Sequence, residues 1–428
     1  MVTYWTRRLV GALVVLALVF GGVAETVRPG RAAAQDEPLT IAFSIPGLNF
    51  PFFVHAERMV REAAEEMGNI EIITFDGQND ASKQVADLES AVTQEVDGVL
   101  VSPHSEAAAP GVEAVLEAGI PVVTWDRTVA AEGTLGHVGA DNVRGGEIQG
   151  EYLLEILADG GKVLELTGTP GSSPAIDRDA GLKRALEGQD AVQIVAEQTG
   201  EFKRDIALTV TENLLTANPE PDAIVCANDD MAAGAAEAAE AAGLDVPIIG
   251  FDALPEALTA IQEGSMAATI EQFPGRQTAE GLTILVNKLR NDEDPTEHDT
   301  FLEPALITAD NLGEAERAGE AGIDAATPTA ADGDAPGGGE VAVSLTEFMI
   351  DMPTDLSAGP TSFEVTNDGA FPHGFEVEGQ GVEAALEANL EPGQSATLEV
   401  DLGAGAYEIY CPVGTHADQG MRVELTVT

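Results

Sequence analysis

Residues 39–75 read LTIAFSIPGLNFPFFVHAERMVREAAEEMGNIEIITF, and this stretch decides the fold predicted for most of the chain. Its two ends are short apolar runs typical of buried β-strands. Between them, apolar residues recur at helical spacing, at Phe53, Ala56, Val60, Ala63 and Met67. A strand, a helix and a second strand in succession form the pattern of a βαβ unit, in which the strands pair in parallel. The stretch therefore predicts a parallel sheet covered by helices.

The same alternation of strand and helix continues to about residue 306, with further strand-like runs at DGVLVS, IPVVTW, GKVLELT, DAIVCA and VPIIGF. So many strands divide more readily between two sheets than they fit into one. We therefore predict a two-lobed α/β domain with a hinge over residues 39–308, with lobe 1 at about 39–140 and 273–301 and lobe 2 at about 141–272. Because ligands of parallel sheets bind beyond the carboxyl ends of the strands, the lobes should face each other across a binding cleft.

The composition changes towards the C-terminus. The run PTAADGDAPGGGE, residues 328–340, is rich in Pro, Gly, Ala and Asp, and we predict a flexible linker over residues 323–340. After it, the runs EVAVSLTEFMI, TSFEVTND, SATLEVDL, YEIYCPV and MRVELTV alternate apolar and polar residues between turn sequences. This pattern predicts an all-β sandwich over residues 341–428.

The charge and the N-terminus limit the partners and the compartment. The chain has 74 acidic and 20 basic residues and a formal net charge of −54. Phosphate contacts need clustered Lys and Arg, so nucleic acid is excluded as a partner. Residues 1–34 combine a basic Arg7–Arg8 pair, an apolar run and small residues before a cleavage position after Ala34, which is typical of an export signal. We expect the protein outside the cytoplasm, in the periplasm or at the cell exterior; an uncleaved segment acting as a membrane anchor is the alternative.

The blocks NFPFFV, TWDR, GADNVRGGEIQG, AIDRDAG, CANDDMAAGA, GFDALPEAL and AATIEQFP follow one another in this order. They resemble the ribose-binding family of periplasmic sugar-binding proteins, the capture components of ABC importers. The resemblance covers almost all of residues 39–306 and implies a sugar or related polyol as ligand, and an ABC permease and its ATPase as membrane partners. It also implies a binding site made of Phe52, Phe53, Asp126, Arg127, Arg178, Phe202, Asn228, Asp252 and Gln272.

These residue types suit a sugar. Aromatic rings pack on the apolar faces of a sugar ring, while charged and amide side chains form strong hydrogen bonds with its hydroxyl groups. One position departs from the family, because the ribose binders carry asparagine where this chain has Phe50 before the PFF proline. Since a polar contact is replaced by an apolar wall, ribose and another sugar or polyol both stay open as ligands.

The tail contains a second constellation. In CPVGTHADQGM, Cys411 is followed by His416 and Met421, and His373 stands upstream in FPHGF. A thiolate, two imidazoles and a thioether are the ligand set of a type 1 (blue) copper site, which transfers single electrons. The segment resembles the cupredoxin family over about residues 340–428, and zinc is the alternative metal. Cys226 lies in a buried-strand pattern in the other predicted domain, so no disulfide with Cys411 is expected.

Together these features predict an extracytoplasmic solute-binding protein for an ABC importer, with a tethered copper electron-transfer domain. The alternative is an electron-transfer protein whose large domain is a ligand sensor or docking platform; either reading allows a redox partner. No nucleophile elbow, P-loop or zinc-hydrolase motif is present in the sequence, so we predict a protein that is not an enzyme. The paired carboxylates of a glycosidase are the enzymatic alternative that the sequence leaves open.

Overall fold

The computed structural model describes residues 38–323 and 340–427, apart from residues 347, 348, 368, 370, 387, 415 and 420. The predicted export segment at residues 1–34 and nearly all of the predicted linker at residues 323–340 lie outside the described residues. Within the part that is described, no helix combines the length and the apolar character needed to cross a membrane.

The first part of the chain alternates strands and helices. Its helices are α1 (Pro51–Met67), α2 (Ala81–Thr93), α3 (Ala109–Glu117), α4 (Asn142–Ile156), α5 (Ser173–Ala185), α6 (Arg204–Ala217), α7 (Asp229–Ala241), α8 (Pro255–Glu263) and α9 (Pro274–Asn291). Its strands are β1 (Leu39–Ile45), β2 (Ile70–Asp76), β3 (Gly98–Val101), β4 (Val122–Trp125), β5 (Gly136–Ala140), β6 (Gly161–Thr167), β7 (Val192–Thr199), β8 (Ala223–Cys226), β9 (Ile248–Ile249), β10 (Thr269–Glu271), β11 (Asp299–Leu302) and β12 (Ala305–Ile307).

These strands form two parallel sheets. The first sheet has the order β11-β5-β4-β3-β1-β2 and the second has the order β7-β6-β8-β9, with parallel pairing throughout. Strand β10 pairs antiparallel with β12 beside the second sheet, because Ala268 bridges Ile249 of β9. The chain therefore crosses between the sheets three times, after β5, after β10 and after β11. The predicted two-lobed α/β fold with parallel sheets is confirmed.

Both faces of the first sheet are buried. Along β1, Ile41 and Phe43 join one hydrophobic cluster, whereas Ala42 between them joins another on the opposite face. Helix α1 packs against α9, and α2 packs against α3. Each large apolar side chain buried in this way stabilises the fold by about 2 kcal/mol. Burial on both faces explains why these strands are continuously apolar in the sequence.

Helix α1 positions part of the cleft. Pro51 occupies its first turn, where a missing N–H leaves no intrahelical hydrogen bond unmade. Phe52 and Phe53 follow and are buried, and Gly68 ends the helix in a backbone conformation with φ of 67°. The helical spacing predicted from the sequence is therefore present, and the aromatic pair lies at the end of α1 that meets the carboxyl end of β1.

Among the described residues of the C-terminal part, the regular elements are strands and one short 3₁₀ turn at His416–Gln419. Its strands are β13 (Glu340–Thr346), β14 (Met349–Asp351), β15 (Asp355–Leu356), β16 (Gly359–Asn367), β17 (Glu376–Gly379), β18 (Val382–Ala385), β19 (Ser395–Leu402), β20 (Gly405–Tyr410) and β21 (Arg422–Val427). They form one sheet of order β14-β13-β16-β19 and another of order β15-β21-β20-β17-β18. Phe363 and Phe375 pack together in the core, with ring centroids 5.4 Å apart. The prediction of an all-β C-terminal domain agrees with these two sheets.

Candidate functional sites

The nine side chains predicted to bind a ligand all line one pocket between the two lobes: Phe52, Phe53, Asp126, Arg127, Arg178, Phe202, Asn228, Asp252 and Gln272. Phe50, Pro174 and Asp230 line the same pocket. Its free volume is about 30 Å³, which leaves room for no more than a few water molecules. The structure is therefore a tightly closed form, and a sugar-sized ligand enters only when the lobes or the lining side chains move.

The fold brings these residues together at strand ends. Asp126 and Arg127 directly follow β4, Asn228 follows β8 by one residue, and Gln272 follows β10. Because the carboxyl ends of parallel strands meet at one edge of a sheet, residues distant in sequence become neighbours there. The cleft is thus a consequence of the two-sheet topology.

Aromatic rings form two walls of the pocket, one from each lobe. In lobe 1, Phe52 and Phe53 meet edge to face with centroids 5.1 Å apart, and Phe52 stacks on the fully buried Trp125 at 6.3 Å. In lobe 2, Phe202 faces the guanidinium of Arg127, whose central carbon lies 5.4 Å from the ring centroid. The Arg127 group is also 5.5 Å from the Phe53 ring, so this cation lies between the two walls.

Buried hydrogen bonds hold the arginines in place. Arg127 donates from Nη1 to the carbonyl oxygen of His104 at 2.7 Å. Arg178 donates from Nε to Asn142 Oδ1 at 2.7 Å and from Nη1 to the carbonyl oxygen of Ala227 at 2.6 Å. Its Nη1 also lies 3.5 Å from Asp252 Oδ1. These contacts fix both planar donor groups before any ligand arrives.

The carboxylates are anchored as well. Asp126 Oδ2 accepts from the hydroxyl of Ser102 at 2.8 Å, and Asp252 Oδ1 accepts from Gln272 Nε2 at 2.6 Å. Burial raises the pKa of Asp126, and it raises the pKa of Asp252 to about 6 although Arg178 opposes this shift. Two buried carboxylates therefore face two buried guanidinium groups, a balance that limits the electrostatic penalty of the closed cleft.

Three pocket residues have backbone conformations that side chains rarely adopt. The φ angles are 58° at Asp126, 60° at Phe202 and 110° at Asp252. Such conformations persist only where the surrounding structure imposes them, and they cluster at functional sites. All three of these residues were predicted to bind ligand, so the strain coincides with the site.

Two of the lining residues were not predicted from the sequence, and a third was expected there. Phe50, expected as an apolar wall, lies in the pocket. Asp230 and Pro174 were not predicted, although Asp230 is the second aspartate of the block CANDDMAAGA. Burial and the charge of Asp252 raise the pKa of Asp230 to about 7. The position of Asp230 two residues after the predicted Asn228, in the same block, was the signal that the sequence offered.

The metal ligands predicted in the C-terminal domain also lie together. The Nδ1 atoms of His373 and His416 are 3.2 Å apart, and Cys411 Sγ lies 4.0 Å from the first and 3.5 Å from the second. All three side chains are buried. Met421 is buried beside them, with its carbonyl oxygen accepting from the amide of Cys411 at 3.0 Å.

These distances fit a single metal ion. Bonds of about 2.0 Å to nitrogen and 2.3 Å to sulfur, arranged in a trigonal plane, would separate the nitrogens by about 3.5 Å and each nitrogen from sulfur by about 3.8 Å. The observed separations of 3.2, 3.5 and 4.0 Å lie close to these values. The soft thiolate and the nearby methionine suit copper better than a hard cation.

The surroundings favour the thiolate that a metal requires. Burial would raise the pKa of Cys411, but hydrogen bonds with His373 and His416 lower it to about 6. The amide of Gly374 also donates to Cys411 Sγ at 3.3 Å. In contrast, burial raises the pKa of Cys226, which lies in the core as expected. The two cysteines therefore have opposite chemical character.

One contact of the metal ligands comes from the large domain. His416 Nε2 lies 3.2 Å from the carboxylate of Glu66 in the last turn of α1. The side chain of Glu66 is 27% exposed, whereas that of His416 is 2% exposed. If Nδ1 of His416 binds the metal, its Nε2–H donates to this carboxylate, and such outer partners orient metal-binding imidazoles. Glu66 was not foreseen from the sequence, because domain packing brings it there.

Comparison with known proteins identifies the large domain. The family model described as "Periplasmic binding protein domain" matches residues 41–293. The ribose import binding protein of Bacillus subtilis is 38% identical over 248 residues, which cover 58% of this chain and 80% of that protein. The xylitol-binding protein of Mycolicibacterium smegmatis is 27% identical over 286 residues, 66% of this chain and 81% of that protein.

The solved structures include a similar fold with a ligand in place. The crystal structure of the Caulobacter myo-inositol binding protein bound to myo-inositol is 42% identical, with a TM-score of 0.63, and the match covers 66% of this chain and 97% of that chain. The curated relatives are substrate-binding proteins rather than enzymes. With a family model that spans more than half of its length and the two-lobed fold described above, this chain belongs to the periplasmic binding protein family.

Proposed function

We propose that this protein captures a ring-shaped sugar or polyol outside the cytoplasm and delivers it to an ABC permease driven by its ATPase. The observation that carries this proposal is the convergence of the nine predicted side chains on one buried pocket between the lobes. The names of the relatives support it, because they include binding proteins for ribose and myo-inositol, both of which form rings.

The chemistry of the pocket suits a cyclic polyol. The rings of Phe52, Phe53 and Phe202 pack on the apolar faces of a six-membered or five-membered ring. Arg127, Asp252 and their neighbours exchange hydrogen bonds with hydroxyl groups around its edge. Phe50 replaces the asparagine of the ribose binders and removes a polar contact at that position. We therefore place myo-inositol ahead of ribose, since the similar structure with bound myo-inositol is 42% identical to this chain.

Calorimetric titration of the full-length protein with myo-inositol, D-ribose, D-allose and xylitol tests this proposal. Asp252→Asn should weaken binding of the preferred compound by about 10- to 100-fold, since a hydrogen bond to a buried charged group contributes about 1.5–3 kcal/mol. Asp245→Asn, an exposed change in the same lobe, is the matched control and should have no effect. Equal affinities for Asp252→Asn and the wild type would contradict the proposed site.

We also propose that the C-terminal domain is a tethered cupredoxin-type electron-transfer module that holds type 1 copper. The supporting observation is the cluster of His373, Cys411 and His416, with donor atoms within 4.8 Å of one another. Copper, when bound, supplies the one-electron chemistry. The chain supplies a buried thiolate, two imidazoles aimed at one point and a hydrophobic core that excludes water. Under the alternative, electron transfer to a redox partner is the main task and the large domain acts as a ligand sensor or docking platform.

An absorption spectrum of the full-length protein after addition of Cu(II) tests the metal proposal. An intense visible thiolate-to-copper band is expected, and Cys411→Ala should abolish it. Cys226→Ala is the matched control, because it removes the chain's other thiol and should retain the band. A colourless protein that binds one Zn(II) with Cys411 as ligand would establish the zinc alternative instead.

A further inference from the structure

A short segment after the last strand of the large domain packs across both lobes. Residues 312–321 contain two 3₁₀ turns, Leu312–Glu314 and Ala318–Ala321. Leu312, Ala315 and Ala318 are buried, and the second turn packs against α8. We call residues 312–321 the brace. It lies between the large domain predicted to end at residue 308 and the linker predicted to begin at residue 323, and its contacts are those of a structural element.

The brace binds lobe 1 through acidic side chains. Glu316 Oε1 lies 2.7 Å from Nε2 of His55 in α1 and accepts from the amide of Gly275, at the start of α9, at 2.9 Å. Glu320 Oε1 lies 3.0 Å from Nδ1 of the same histidine and also pairs with Arg58. His55 and Glu316 are 6% and 7% exposed, so their contact is buried and charge-assisted, whereas the Glu320 side chain is 43% exposed.

The brace also binds the crossing between the lobes. The amide of Glu316 donates to Glu271 Oε2 at 2.9 Å. The other oxygen of Glu271 accepts from the amides of Gln272 and Phe273, each at 2.7 Å. Glu316 therefore holds the carboxylate of Glu271, which in turn fixes the backbone of residues 272–273. These residues form the crossing after β10, and rotation of the lobes must bend the chain there.

Arg317 of the brace contacts the backbone of Asp252, whose side chain lines the ligand pocket. Arg317 is 1% exposed and donates from Nη2 to the backbone carbonyl oxygen of Asp252. Asp252 has the strained φ of 110° described above, and its side chain accepts from Gln272 in the pocket. Nε and Nη1 of Arg317 are buried without hydrogen-bond partners, although such burial is unfavourable. The buried guanidinium of Arg317 therefore holds the backbone of Asp252 in place, despite the unfavourable burial of its other two nitrogens.

We propose that the brace is a positioning element for ligand binding. Through Arg317 and Glu316 it holds Asp252 and the crossing at residues 271–273 in the closed arrangement, so that residues which never touch the ligand determine how long it stays bound. The inference rests on the proposed function of the pocket. Pre-organised sites bind more tightly because less ordering remains to be done on binding. Loss of the brace should therefore raise the dissociation rate and leave the association rate nearly unchanged.

Two variants of the full-length protein test the brace. Arg317→Lys keeps the charge but loses the planar donor, and Glu316→Gln keeps the shape but loses the charged contact with His55. Each should raise the Kd for the preferred polyol of the titration panel by about tenfold, mainly through faster dissociation, as expected for loss of a charge-assisted hydrogen bond. Glu314→Gln, an exposed change in the same segment, is the matched control and should leave both rates unchanged.

Hydrogen exchange of the ligand-free protein separates this inference from the proposed function. In Glu316→Gln, the amides of Gln272, Phe273 and Gly275 should exchange about tenfold faster than in the wild type, while the core amides of β3 stay protected. If no compound of the panel binds the wild type, the proposed ligand class fails and the exchange measurement alone decides the brace. If Glu316→Gln and Arg317→Lys both retain wild-type dissociation rates and exchange, the brace is overturned.

Discussion

The pocket between the lobes and the metal-ligand cluster of the C-terminal domain are assembled in opposite ways. The pocket collects residues from Phe50 to Gln272, which three crossings of the chain and two sheets bring together. The metal cluster takes Cys411 and His416 from one loop between β20 and β21, and only His373 comes from elsewhere in the same small domain. A site collected over a long stretch depends on the placement of whole lobes, whereas a loop site depends on local backbone geometry.

The comparison implies that packing changes directly behind a wall of the pocket should have the largest effect on ligand binding. A Cβ atom on Gly168 would lie 2.0 Å from the ring of Phe202. In Gly168→Ala the Phe202 ring must therefore move into the pocket or push the lobes apart, and overpacking on this scale should weaken ligand binding by about 100-fold. Calorimetry measures this loss, and the copper spectrum of the same variant should be unchanged. Normal ligand affinity in Gly168→Ala would show that the Phe202 wall is not needed.

The matching change in the C-terminal domain should have a smaller, local effect. A Cβ atom on Gly374 would lie 2.8 Å from the ring of Pro412 and 2.9 Å from Asn389 Oδ1. Gly374→Ala should therefore shift the amide that donates to Cys411 Sγ, and an outer-shell loss of this kind lowers metal affinity by about 30-fold. Competition with a copper chelator measures the affinity, and polyol binding should remain at the wild-type value. A variant that lost both activities would contradict the independence of the two sites.

Glu66 is the exception that can break the comparison, because the large domain contributes it to the metal cluster. Glu66→Gln should lower copper affinity by about tenfold and alter the reduction potential, since the carboxylate that orients the His416 ring becomes an amide. Glu65→Gln removes the same charge one residue away, from an exposed position, and should change neither quantity. If both variants change copper affinity and reduction potential equally, the effect of Glu66 comes from its charge alone. The metal cluster then needs no contact from the large domain.

The local sequence pattern was sufficient to predict the individual strands and helices. It was insufficient to predict which residues of different elements lie together in the folded protein. The apolar runs around β1, α1 and β2 predicted the βαβ unit because each element shows its own periodicity. The nine pocket residues came from a family resemblance, because nothing in the spacing of Phe53 and Gln272 indicates that they meet. The brace has no such signal, since AERAGEAG shows only small and charged residues. Glu66 likewise looks like any exposed helical glutamate, and only domain packing reveals its contact.

The contact between α1 and the brace should depend on pH. Its contribution to stability is the smallest effect that we predict. His55 contacts Glu316 and Glu320 from the brace, while Arg58 and Arg317 lie nearby. Burial would lower the pKa of His55, but the hydrogen bonds with the two glutamates raise it above the ordinary value of 6.5. Protonated His55 therefore contributes stability that is fully present below pH 6.5 and is lost as the pH rises through the raised folded-state pKa.

Thermal unfolding from pH 5 to 9 measures that contribution by comparing the wild type with His55→Asn. The wild type should unfold about 2 °C above the variant at pH 5 to 6, which corresponds to about 1 kcal/mol for a large domain. The difference should vanish towards pH 9. His416 also has a raised pKa, but it is present in both proteins and cancels in the comparison. A difference that grows with pH would mean that His55 is held neutral, and the charged contact between α1 and the brace would then have to be abandoned.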